Sequence, residues 1–208
     1  MQTNDNRLAQ TYAAGMAVAA GLMRLIPHPY NFTPVAGLGL FGGARLRSWW
    51  AYVLPLAVMA ASDVLLWAIQ GRPDYSLWQY AFNPWVYACF LLAVLWGRLL
   101  LGNGGAGRIL AVSVLVSVQF FVVTNFGVWL AGFSAPVPLY SRDLSGLIAC
   151  YIAALPFVGS NAPPLGFFGN QVLGDLFYTG LLFGVYALLS SGVLLPRRLR
   201  QPAAARMP

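Results

Sequence analysis

The chain has 208 residues, of which 59% are hydrophobic and only 8% charged. Soluble domains carry roughly 25% charged residues, so this composition excludes one and indicates an integral membrane protein. The net charge of +7 does not indicate nucleic acid, because the arginines stand at the ends of apolar segments rather than in a continuous stripe.

The N-terminus, MQTNDNRLAQ, lacks the basic start and small-residue cleavage site of a secretory signal, so the first apolar run, about 8–26, is expected to remain as a helix. Along it Ala9, Ala13, Ala17 and Gly21 recur every four residues. Such a stripe permits close packing, either as an internal seam or as a docking surface for a second membrane protein. The short, Gly-rich segment at 33–46, containing TPVAGLGLFGGA, is taken as the second span. Further spans follow at about 49–70, 84–101 and 109–132, each near the ~20 residues that cross a hydrocarbon core. Residues 143–158, DLSGLIACYIAALPFV, fall short of a usual span and are assigned to a short outer or re-entrant helix. A last span at 167–190 precedes a basic tail, 192–208. The expected fold is all-α: a single transmembrane domain over 1–208, a polytopic membrane helix bundle of six transmembrane helices plus the short helix.

Charge orients this bundle. With 33–46 crossing and 143–158 not, Arg7, Arg45, Arg47, Arg98, Arg108 and the tail arginines share one side, which is then the cytoplasm. Arg24, Arg72 and Arg142 remain opposite. Both termini are thus expected to be cytoplasmic, in a bacterial inner membrane.

Asp63 and Asp175 lie inside long apolar stretches, where an ionisable group marks a functional site by default. Other polar residues gather at the same depth in the outer half. Arg24 ends the first span, His28 and Asn31 lie in PHPYNF, Cys89 begins the fourth span, Asn125 is in the outer part of the fifth, and Asn170 and Gln171 enter the last. An outward-opening polar pocket is expected, in which Arg24 and the two aspartates meet the charged groups of a small ligand. Trp129 or Tyr151 would cover the ligand's flat face, with 143–158 as a lid. The plainer alternative is that Arg24 forms an internal ion pair with Asp63 or Asp175. His28, flanked by prolines, suits a turn, and no metal-ligand pair at helical spacing accompanies it. Cys89 and Cys150 fit burial, a disulfide or soft metal ligation, of which burial is the simplest. Trp49, Trp50, Trp78, Tyr80, Trp85 and Trp129 suit interfacial belts.

There is no Walker A loop, GxSxG elbow, HExxH or CxxC, and a single histidine serves the whole chain. Hydrolase chemistry is therefore disfavoured and no cofactor is implied. Asp63 with His28 is the pair a lipid-acting membrane enzyme would have to use. A channel is disfavoured by the lack of a charged ring or filter-like repeat.

Together RLIPHPYNFTPVAGLGLFGGA, TNFGVWLAG, GLIACYIAALPF and GDLFYTGLLFG resemble an uncharacterised family of small bacterial membrane proteins of unknown function, over roughly 24–184. In architecture the chain is similar to the substrate-binding S components of energy-coupling-factor vitamin transporters. That resemblance implies capture of a vitamin or related micronutrient from outside. It also implies a partner, a transmembrane coupling subunit with ATPases, met through small residues of the first helix. The stripe Ala9, Ala13, Ala17 and Gly21 fits that surface, and LFGGA at 40–44 resembles the Gly-rich second helix. No pocket motif carries over, and VGSNAPPLGFFGNQVL departs from the family pattern, which points to a different outer lid. The competing expectation is a non-transporting membrane scaffold.

Overall fold

The computed structural model describes residues 2–29, 31–46, 48–71, 76–77, 83–134, 136–155 and 166–191, with the side chains of the first helix described from Gln10 onward. Among them there is no strand. The helices are α1 Gln2–Leu25, α2 Val35–Arg45, α3 Trp50–Gln70, α4 Pro84–Leu100, α5 Ala106–Ala131 with a 3-10 turn at Gly132–Ser134, α6 Leu144–Ala154 and α7 Gly166–Ser190. Arg7, Ala9, Arg47, Arg72, Trp78, Tyr80 and the tail at 192–208 lie outside the described side chains.

Among the described residues three helices, rather than the expected six, are long and apolar enough to cross a membrane: α3, α5 with its 3-10 turn, and α7. The polar first turns of α1, QTNDNRLAQT, keep it out of that set. α4 is apolar but has 17 residues. α2 has only 11, a rise of roughly 16 Å, about half of a hydrocarbon core.

α2 is short because it is enclosed. Every residue from Val35 to Gly43 is buried, with α1, α3, α4 and α7 packed around it. Its glycines make this possible by letting neighbouring backbones approach closely, above all α4. Phe41 then fills the centre, with Tyr12, Phe183 and Tyr186 at ring-centroid distances of 5.3, 5.4 and 5.1 Å. A helix that meets protein on all sides gains from burial all round, so glycine's poor helix propensity is overridden.

The helix ends sort the polar residues. At one end of the bundle Arg45 donates to Gly102 O at 3.2 Å and Arg98 to Leu46 O at 3.4 Å, supplying donors to carbonyls near the ends of α2 and α4. At the other end α3 stops at Gly71 in the left-handed conformation, φ 54°. There α4 starts on Asn83, whose side chain accepts from Trp85 N and Val86 N, with Pro84 in the first turn.

The described part of the stripe on α1, Ala13, Ala17 and Gly21, faces inward. Ala13 and Ala17 are buried in the core and Gly21 approaches Val58 of α3, so these residues form an internal seam of the bundle. The side left exposed carries Gly15, Val18 and Leu22 instead.

Candidate functional site

The ends of α1 and α3 and the starts of α2, α4 and α7 converge on a cavity of 290 Å³. Arg24, Asn31, Asp63 and Asp175, all expected at a pocket, line it together with Gln171. Thr33, Asn83 and Tyr87 also line it and were missed, as were the serines behind the charged groups. Exposed Asn31 and Asn83 stand at the rim, while Asp63 and Asp175 are 7% and 2% exposed on the floor. Asn31 adopts φ 60°, a left-handed turn that Asn tolerates better than other side chains and that brings the chain into α2.

Arg24 reaches from the last turn of α1 onto α3. Its Nη2 donates to Asp63 Oδ1 at 2.7 Å, while Nη1 donates to Ser62 Oγ and, at 3.4 Å, to Met59 O. The pair is largely buried, with side chains 12% and 10% exposed. The expected internal ion pair is therefore formed with Asp63. Asp175 lies on α7 against α5, where Ser117 Oγ donates to its Oδ2 at 2.7 Å. One turn further from the cavity Ser113 Oγ donates to Thr179 Oγ1 at 3.2 Å, extending a buried hydroxyl ladder along the same helix pair. Ser113 and Ser117, four apart in VSVLVSVQF, were the available sequence signal for that ladder.

A second cavity of 130 Å³ adjoins the first, with Asn31, Phe120 and Gln171 in the walls of both. Phe121, Thr124, Asn125, Ala154, Phe167 and Phe168 complete it. Asn125 is thus near the site, with its amide donating to Phe121 O at 2.8 Å.

The remaining expected site residues are placed elsewhere. His28 holds its own loop, with Nδ1 2.7 Å from Ile26 O, and does not line the cavity that Asp63 lines. Cys89 and Cys150 are free and buried; Cys89 lies on the core side of α4, and Cys150 Sγ is 3.5 Å from Asn125 O. Trp129 and Tyr151 fasten α6 to α5 rather than lining either cavity, donating to Ser141 O at 3.0 Å and Val122 O at 2.8 Å.

The short helix expected near 143–158 is α6, and Asp143 caps it. Its Oδ1 accepts from Gly146 N at 2.8 Å and from the Ser145 and Ser141 hydroxyls, each at 2.7 Å. These donors, Gly146 first, hold the carboxyl well below the usual range, at about 2. A depressed folded-state value means that the cap's contribution is complete above the ordinary carboxylate range near pH 4 and is lost as pH falls toward 2. Asp143→Ala is expected to speed amide hydrogen exchange across Leu144–Ala154 at neutral pH while leaving α3 unchanged. The melting difference between this variant and wild type should vanish as pH falls toward 2; a difference that persists there would show that the carboxylate is not the cause.

The molecule is an all-helical bundle with helices suited to a membrane and a polar cavity at one end of an apolar core. The chain belongs to a family of unknown function (DUF6580), whose model matches residues 4–199. No curated protein and no solved structure matches it significantly.

Proposed function

We propose that the chain is a substrate-binding membrane subunit, similar in kind to an S component, that captures a vitamin or related micronutrient from the outer side for uptake. The observation that carries this reading is the polar cavity, which gathers Arg24, Asp63 and Asp175 at the end of the bundle opposite Arg45 and Arg98. Arginines collect on the cytoplasmic side of membrane proteins, and Arg45 and Arg98 at the far end support a cavity that faces outward, in a bacterial inner membrane. Its volume of 290 Å³ is at the lower end for small-molecule sites.

Six spans remain compatible with a half-length α2. Backbone that does not run the full membrane depth is tolerated where protein surrounds it, and α2 is surrounded. In this reading α1, α3, α4, α5 and α7 cross alongside it and α6 serves as the lid, its last turn at Ala154 touching the second cavity. Uptake would need an ATP-driven coupling subunit. Because Ala13 and Ala17 are covered by this chain, that partner would meet the exposed Gly15, Val18 and Leu22 face of α1.

The test is a thermal-shift screen of purified wild type and Asp63→Asn against vitamins and their precursors. A ligand at 100 times its Kd is expected to add about 2.7 kcal/mol to wild type. The variant should lose that shift. A second reading, a non-transporting scaffold, draws on the same buried groups, since both aspartates already have partners within the chain. It takes precedence if no compound in a broad panel shifts a monodisperse sample.

A further inference from the structure

The two cavities differ in chemistry, and the difference defines a ligand. In the larger one the guanidinium of Arg24 is engaged by Asp63, Ser62 and Met59, all on α3. Much of its donor capacity is thereby spent on its own helix pair, with Asp63 offsetting its charge. Asp175 carries a second carboxylate into the same cavity, and among the described residues no cation is paired with it. Two carboxylates thus face one guanidinium. The other polar lining groups, among them Asn31, Asn83 and Gln171, are uncharged.

The smaller cavity is uncharged and richer in aromatic rings. Phe120, Phe121, Phe167 and Phe168 supply most of its apolar wall, beside uncharged Thr124 and Asn125, with the rings of Phe121 and Phe168 at 4.9 Å. Ring faces such as these favour a flat apolar body and also attract a positive charge. Phe120 and Gln171 stand in both walls, so one molecule passing them would touch both compartments.

We infer that the captured ligand is a small organic cation with an aromatic body, its charged nitrogen set against Asp175 in the larger cavity and its ring among the phenylalanines of the smaller. This rests on the capture reading above and sharpens it by charge and shape. A carboxylate or phosphate ligand would instead have to compete with Asp63 for Arg24 and lie beside Asp175, where among the described residues no positive partner offsets it.

Three probes separate these cases on the detergent-purified full chain: 2-phenylethylammonium, its anionic counterpart 3-phenylpropionate, and butylammonium, which keeps the charge without a ring. The expected order of stabilisation is phenylethylammonium, then butylammonium, with phenylpropionate inactive. Asp175→Asn preserves shape and the Ser117 contact, and should weaken phenylethylammonium binding about 10- to 100-fold, the span for a charged hydrogen bond. Phe168→Leu should weaken phenylethylammonium several-fold and leave butylammonium unchanged. Should either variant elute as aggregate, the charge assignment is decided on wild type by the two aryl probes alone. Stabilisation by phenylpropionate, or by a compound of the vitamin panel while both ammonium probes fail, overturns this inference and leaves the capture reading intact. Silence from every compound in both sets overturns both.

Discussion

Replacing Arg24 by methionine is expected to destabilise the protein by about 3–5 kcal/mol, the cost of leaving one partner of a buried ion pair without the other. The guanidinium has more than one task. It neutralises Asp63 at 2.7 Å and also donates to Ser62 Oγ and to Met59 O, so its loss leaves a charge and two acceptors near the floor of the cavity. The methionine stem would still cover α3, which confines the loss to the polar groups. Asp63→Leu on its own should be comparably damaging, because the arginine then lacks its counter-ion. The double variant Arg24→Met with Asp63→Leu should recover most of the stability, since removing both charges removes their desolvation cost. Thermal melts of the four proteins, analysed as a double-mutant cycle, give the coupling. If Arg24→Met melts with wild type, the pair does not hold α1 to α3.

The second large effect is at Gly97. A Cβ there would lie 2.3 Å from Leu40 O and 3.0 Å from Leu40 C, and one at Gly43 would lie 2.0 Å from Val94 O. These are contacts of backbone with backbone across α2 and α4, and no side chain can turn aside to relieve them. Gly97→Ala is expected to cost about 3 kcal/mol, the upper end for overpacking a close contact, and Gly97→Val to prevent the bundle from closing. Gly180 and Gly184 on α7 supply the control, since a Cβ at either meets nothing within 4 Å. Size-exclusion profiles and melting temperatures should separate the two classes. Equal behaviour of Gly97→Ala and Gly180→Ala would mean that α2 and α4 are not in close contact.

The expected pocket was legible where the sequence left few alternatives. Asp63, Asp175 and Arg24 each interrupt or end an apolar run, and a charge in such surroundings needs partners or a site. Asn31 joined them because depth alone brings the end of α1 and the start of α2 level. The count of spans was less legible. Hydropathy reports what a segment avoids, which is water, and is silent on whether lipid or protein replaces it; α2, wrapped in protein, reads like a span at half the length. The packing contacts of Trp129 and Tyr151 were not legible for a related reason. Their rings suited stacking, but their polar tips found carbonyls at residues 141 and 122, choices that only the packing of α6 on α5 determines. Thr33, Asn83 and Tyr87 come from the loop before α2 and from the start of α4, whose positions follow from the tertiary fold.

The two buried carboxylates each act as a latch between a different pair of helices. Asp63 clips α1 to α3 through Arg24, and Asp175 clips α7 to α5 through Ser117. Each clip closes beside the same void, and α4 walls it through Val86, Tyr87 and Phe90. α2 runs between the clips as a shared spine, packed on α1, α3 and α7. A ligand wedged into that void would therefore press on both clips at once, and on the α2 spine between them.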